Sequence, residues 1–199
     1  MSFRNIAFLQ ALPGWWPTAP NVFGCVPGGL TDVLVPVVGR VYLVSFWAFR
    51  SITITRLSVV LQTTVAAQNI RLGVYSDGTT PNNPAGGKLL VDSGNLLQSG
   101  ASNVTINFAL PKALGLPAGI YWIALVASDA GINISRVDTD FTFIGDLAGE
   151  TLLGAQFDLP SGFGSLPNVC PPVAVPTAFP ARAMQDTFLA LVRVSKIDE

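Results

Sequence analysis

Any chemistry in this chain has to be done by carboxylates, amides, hydroxyls and two thiols, because none of its 199 residues is a histidine. The usual general base, triad member and metal ligand is therefore missing. Carboxylate pairs remain, and Asp138 with Asp140, or Asp129, are the residues a glycosidase would use. All three fall at strand ends or in loops, where solvated turn carboxylates are the ordinary occupants, so no enzymatic activity is expected. The stretch Asp77-Gly-Thr-Thr-Pro-Asn-Asn-Pro-Ala-Gly-Gly87 gathers Asp77, Asn82 and Asn83 in one loop. Their oxygens would suit calcium, yet the spacing matches no metal loop and the same residues serve turns. Neither a metal nor a cofactor is expected. A sugar needs an exposed aromatic face flanked by polar groups. Tyr75 beside Asp77, Asn82 and Asn83 would provide one, as would Trp15 and Trp16, so Tyr75, Asp77, Asn82 and Asn83 form the candidate glycan contact.

Cys25 and Cys170 sit in irregular Phe-Gly-Cys-Val-Pro and Asn-Val-Cys-Pro-Pro contexts. They fit either buried free thiols in a protein made in the cytosol or a disulfide tying two loops together. Met1-Ser-Phe-Arg-Asn is followed by no unbroken apolar run before Pro13, so no secretory signal is expected and free thiols are favoured.

The elements that position these residues read as strands. Val41–Phe49 is an aromatic-rich strand. Ser51–Thr63 changes phase, with Ile52 and Ile54 on one parity and Leu57, Val59 and Leu61 on the other, as a β-bulge or a change of sheet would produce. Ile70–Ser76 and Val104–Phe108 alternate cleanly, Lys88–Ser93 and Leu96–Ser99 are short, and Leu110–Gly119 reads as a loop. Ile120–Val126 is apolar on both parities and predicts a central strand covered on both faces, with Trp122 in the core, as is Trp47 in its own strand. Ile132–Val137 and Phe141–Ile144 are weaker strands, and Asp146–Gly154 is a turn or two. Leu159–Arg182 is Pro-rich and predicts a wrap around the outside, and Asp186–Lys196 closes the sheet.

Half of the residues are apolar and only 12% are charged, against about a quarter in ordinary domains, and the mean hydropathy is +0.50. Membrane insertion would explain this, but the long uncharged runs Asn5–Thr31 and Leu159–Ala181 are interrupted by prolines that remove helix donors. No membrane insertion is expected, and burial against other protein remains. A net charge of −1 with scattered Lys and Arg offers no footprint for nucleic acid. Residues 1–40 hold Phe3, Phe8, Leu9, Trp15 and Trp16 among prolines. The stretch is too apolar for a solvated linker and too short for its own core. It reads either as an N-terminal docking arm that anchors the chain to a partner, or as an irregular cover folded back on residues 41–199.

The succession Ser-Ile-Thr-Ile-Thr-Arg-Leu (51–57), Ile-Arg-Leu-Gly-Val-Tyr-Ser-Asp (70–77), Lys-Leu-Leu-Val-Asp-Ser-Gly (88–94), Pro-Ala-Gly-Ile-Tyr-Trp-Ile-Ala (117–124) and Leu-Ala-Leu-Val-Arg-Val (189–194) resembles jelly-roll domains of tailed-bacteriophage virion proteins. Those domains occur in capsid decoration proteins, head fibres and tail-fibre tips, and the resemblance runs from about Val41 to Val194. It implies an all-β jelly-roll β-sandwich with an irregular N-terminal anchoring arm. It also implies a homotrimer on the virion surface, made in the host cytoplasm and contacting other virion proteins. The chain shows no heptads, repeats or collagen-like triplets that would build a shaft. The expectation is therefore a capsid decoration or short spike; the alternative is a tail-fibre or spike module that binds host surface polysaccharide.

Overall fold

A computed structural model describes residues 14–17, 33–48, 50–81, 83–98, 100–135, 154–173 and 190–197. The described elements are all strands: β1 (Gly14–Pro17), β2 (Val33–Leu34), β3 (Arg40–Ala48), β4 (Ile52–Thr63), β5 (Asn69–Ser76), β6 (Leu89–Asp92), β7 (Leu96–Leu97), β8 (Ser102–Leu116), β9 (Gly119–Ala127), β10 (Asn133–Ser135), β11 (Gly154–Asp158) and β12 (Ala190–Ile197). The chain is all-β, as period-two alternation broken by turn residues predicts. Among the described residues no helix is long and apolar enough to cross a membrane.

The strands pair into two antiparallel sheets, an arrangement compatible with a β-sandwich. In the first, β1 pairs β12, β12 pairs β4, and β8 pairs β4, while β10 lies beside the end of β4 and carries β2. The second runs β11-β3-β9-β5, with β6 and β7 both pairing β5. The inward rows of both sheets meet in one core. Ile52, Ile54, Leu57, Val59 and Leu61 of β4 face Tyr42, Val44, Phe46, Ile70, Leu72, Val74, Ile123 and Leu125. Burying a residue of this size is worth roughly 1.5–3 kcal/mol, so this row dominates the apolar stabilisation.

The phase change in β4 is a bulge: its partners on β8 shift between Ile54 and Arg56, which keeps Ile52, Ile54, Leu57, Val59 and Leu61 all inward. Ile54 pairs Leu114 while Arg56 pairs Ala109, so Leu110–Ala113 bow out opposite Thr55. This corrects the expected loop at 110–119. Leu114 and Leu116 return to the core and draw the strand back into register, and Pro111 falls in the unpaired bow, where no ladder donor is lost.

As expected, the central strand β9 is buried from Tyr121 to Ala127. Tyr121, Ile123, Leu125 and Ala127 point into the inter-sheet core, and Trp122, Ala124 and Val126 into a second cluster on the opposite face. That second face is covered by β11 and the irregular chain after it, through Ala155, Phe157, Leu159, Leu166 and Cys170. Gly73 makes the cover possible, since a Cβ there would collide with Leu166 Cδ1. Strand β11 itself is not anticipated by the sequence, which around it reads as a turn followed by irregular chain. It adds to β3 over five residue pairs, from Gly154↔Val44 to Asp158↔Arg40.

Residues 1–40 do not stand wholly apart. Gly14–Pro17 pairs β12 (Trp15↔Arg193, Trp16↔Val192) and Val33–Leu34 pairs β10, so both belong to the first sheet. Backbone groups at the free edge of β12 are satisfied by the nearest extended segment. Phe3, Phe8 and Leu9 lie outside the described residues.

Candidate binding surfaces

Strand β5 delivers Tyr75 opposite Trp122, on the face of the second sheet that the 155–173 segment covers. Tyr75 is 0% exposed, and its hydroxyl donates to the Pro167 carbonyl at 2.8 Å. Burial, with smaller contributions from the charges of Cys170 and Asp92, raises its pKa above the ordinary tyrosine value. The expected role of Tyr75 as a sugar platform is therefore corrected: both faces of the ring are taken up by protein. Trp122, also fully buried, donates its indole Nε1–H to Asp77 Oδ1 at 2.9 Å. The Asp77 amide in turn donates to the Ile120 carbonyl at 3.2 Å. Asp77 thus ties the start of the loop to β9.

The rest of the loop is held internally. Asn83 Oδ1 accepts from the Ala85 amide at 2.9 Å, Gly78 N–H donates to the Asn83 carbonyl at 2.8 Å, and Gly87 N–H to the Pro84 carbonyl at 2.8 Å. A Cβ at Gly78 would strike the Ala85 carbonyl, and one at Gly87 the Ser76 carbonyl, so both glycines are required by close approach. The loop is also sewn to the cover: Gly86 donates to the Cys170 carbonyl, and Cys170 to that of Gly87, both at 2.8 Å, and Leu89 donates to the Asn168 carbonyl at 2.9 Å. Among its described residues those exposed to solvent are Thr79, Thr80, Pro81 and Gly86, none of them aromatic. Asn82 lies outside the described residues. The structure brings Tyr75, Asp77 and Asn83 together as the clasp of a covered sheet.

The remaining chemistry-bearing groups are also structural where they are described. Asp129 Oδ1 accepts from the Gly131 amide at 2.7 Å, a turn contact; Asp138 and Asp140 lie outside the described residues. Cys170 is a buried free cysteine whose pKa burial pushes up to about 12, which keeps it a neutral thiol at physiological pH. Cys25 lies outside the described residues. Among the described residues no cluster of three or more His, Cys, Asp or Glu could hold a metal ion.

Two surfaces remain that residue types alone do not mark. One is a shallow cleft of about 240 Å³ lined by Arg40, Gln156, Phe157, Asp158, Pro171 and Pro172. Arg40 donates to both Asp158 oxygens, Nε–Oδ1 at 2.7 Å and a second bond at 3.3 Å, and this contact lowers the Asp158 pKa. The two residues are 118 positions apart and meet only because β11 pairs β3, which the sequence does not signal. Planar, hydrogen-bonding side chains beside proline rings are groups that can bind a polar, ring-shaped ligand.

The other surface is the flank of the sandwich formed by β8, β6 and β7. Strand β8 pairs only with β4, so its second edge is open among the described residues, and β6 and β7 are the matching edge of the other sheet. Only residues 98–101 separate β7 from β8, which puts both edges on one flank. Val91, Leu96, Val104, Ile106, Phe108, Leu110 and Leu114 pack on the core there but remain half-exposed. Leu90 is 36% exposed at a bulge in the β5–β6 pairing, and Leu97 is 71% exposed. The alternation Val104/Ile106/Phe108 marks a half-buried strand in the sequence, but its place at an edge follows only from the pairing.

No protein-family model matches this chain, and no curated protein matches it.

Proposed function

We propose that the chain is a non-catalytic structural protein of a tailed-phage particle. In this reading it is a homotrimeric jelly-roll knob that decorates the capsid or forms a short spike, anchored by its N-terminal arm, residues 1–40. The observation that carries the reading is the strand order. Leaving out the short β2, β7, β10 and β11, the sheets run β1-β12-β4-β8 and β3-β9-β5-β6. With those four left out, the chain crosses from sheet to sheet at β1–β3, β3–β4, β4–β5, β6–β8, β8–β9 and β9–β12, a succession that supports reading the sandwich as a jelly roll. The roles found for Asp77, Asp129 and Cys170 support the non-catalytic part, since each group is engaged in turns or packing.

The cleft at Arg40, Gln156 and Asp158 favours a second reading, a receptor-binding module for host surface polysaccharide. Immunogold electron microscopy separates the two, using antibody against residues 41–199 on intact particles of the phage that encodes the chain. Label over the head supports decoration. Label at the tail transfers the weight to receptor binding, and particles without label would overturn both.

A further inference from the structure

We infer that the cleft between β11 and Pro171–Pro172 is a site for one neutral ring bearing adjacent hydroxyls, a hexopyranose unit, and that it discriminates against acidic sugars. This ligand class rests on the second reading proposed above, which it narrows. Three observations lead to it. First, the two charges of the cleft answer each other. Arg40 donates to both oxygens of Asp158, at 2.7 and 3.3 Å, so guanidinium and carboxylate form one fork-to-fork pair without net charge. An anionic ligand would have to displace Asp158 from Arg40, and a cationic one would have to displace Arg40 from Asp158. A neutral hydroxyl displaces neither. A carboxylate accepts at about four lone-pair sites, the Arg40 contacts use two, and the Asp158 side chain is 65% exposed to whatever enters.

Second, the rest of the lining suits a polyol ring. Gln156 precedes Asp158 by two positions on β11 and so shares its face of the strand. It is half-buried, and its amide both donates and accepts. Phe157 between them is buried and packs on the opposite face, in the cluster beneath the cover, so the cleft gains no exposed aromatic ring from it. The apolar component is then the rings of Pro171 and Pro172. Two such rings match the C–H face of a pyranose and are too little for an apolar ligand. The volume of about 240 Å³ lies below the roughly 300–1,000 Å³ of pockets that enclose drug-sized molecules, which fits one ring rather than a chain of them.

Third, both walls are fixed before a ligand arrives. The β11–β3 ladder sets Asp158 directly opposite Arg40, and the Leu159 amide donates to the Gly39 carbonyl at 2.9 Å just beyond it. The other wall follows Cys170, whose amide donates to the Gly87 carbonyl and whose carbonyl accepts from Gly86, both at 2.8 Å. The proline rings at 171 and 172 restrict the backbone further. A ligand therefore orders little chain on entering, which removes one of the main costs of binding. The Arg40 hydrogen bond also lowers the Asp158 pKa, so the carboxylate stays an acceptor at neutral pH.

The test is saturation-transfer NMR on the full chain with methyl hexopyranosides and the matching methyl hexuronates, alongside retention of the chain on a host-polysaccharide column. The unmodified protein should bind the neutral glycosides at least about tenfold better than the uronates, the size of effect a hydrogen bond to a charged group carries. Asp158→Asn, at an exposed position, keeps the shape and removes the charge that answers Arg40, so it should reverse the order and favour the uronates. Circular dichroism checks its fold. Should that variant not fold, Gln156→Ala decides, and it should weaken the neutral glycosides about threefold or more. No transfer to any neutral glycoside, uronates bound as well as neutral rings, or variants that behave as the unmodified chain would each overturn the inference. If the column still retains the unmodified chain in those cases, the inference falls alone; a chain that is not retained takes the second reading with it.

Discussion

The cover over the second sheet can be tested through one contact, Gly73 with Leu166. Leu166 is 4% exposed, and its Cδ1 occupies the space a Cβ on residue 73 would need. Leu166→Ala should cost about 2–3 kcal/mol, the lower part of the range for buried leucines, because the site lies under a single layer of chain and can partly collapse. Gly73→Ala should cost about 1–3 kcal/mol, since the added methyl must displace Leu166 from a packed position. The double variant is the informative one. With Leu166 shortened, the methyl added at position 73 enters the vacated space and the clash disappears, although the Val91 carbonyl 3.0 Å away still crowds it. The expected coupling is on the order of 1–2 kcal/mol in favour of the double variant, as for residues in direct contact. Urea denaturation of all four proteins at one chain concentration measures it. Concentration must be fixed because association shifts apparent stability. Effects that add to within about 0.5 kcal/mol would refute the contact. The 159–173 segment would then lie elsewhere, and Tyr75 would return as a candidate exposed ring.

Two further outcomes follow from the same packing. The folded chain holds the Cys170 proton more tightly than the unfolded one, with the pKa raised from 9.0 to about 12, and Tyr75 is raised in the same direction. That stabilisation is fully present below the unfolded thiol pKa and is lost as pH rises towards the folded value, at about 1.4 kcal/mol per pH unit for each group titrating. Denaturation curves between about pH 8 and 11 should show a shallower decline for Cys170→Ala than for the unmodified chain; equal slopes would refute the role of burial. Arg40→Ala removes an exposed ion pair, so stability should change by less than about 1 kcal/mol. If the cleft binds polysaccharide, the same variant should lose most retention on a host-polysaccharide column; unchanged retention would remove Arg40 from any such site.

How much is legible in the sequence depends on whether a feature is local. The β4 phase change between Ile54 and Leu57, the doubly covered β9 and the outer wrap by the proline-rich segment all leave their mark in consecutive residues. Each states which parities must be buried. Tyr75 shows the limit. Its neighbours Asp77 and Asn83 are turn residues in either case, and nothing local says whether a chain about ninety residues away lies over the ring. The Pro167 carbonyl that accepts its hydroxyl, 92 positions on, decides this. Strand β11 escapes a local reading for a related reason: Gly-Ala-Gln-Phe-Asp is short and flanked by turn residues, and only pairing with β3 makes it a strand. The alternation Ala155, Phe157, Leu159 is present as a signal, but it is too brief to separate from irregular chain.

The apolar composition also needs a finer account than association alone. A 12% charged chain suggests large interfaces with other protein. Part of the excess goes instead into a third layer within the described fold. Val41, Leu43, Tyr75, Trp122, Ala124 and Val126 form a complete second row on the outer face of one sheet, and Phe157, Leu159, Leu166 and Cys170 cover it. In a two-layer sandwich that outer row would be polar. Once it is assigned to the chain's own cover, the exposed apolar surface that remains is narrower. Leu90, Leu97 and the half-exposed row of β8 share one flank, whereas Val35, Val37, Val38 and Val169 are exposed elsewhere.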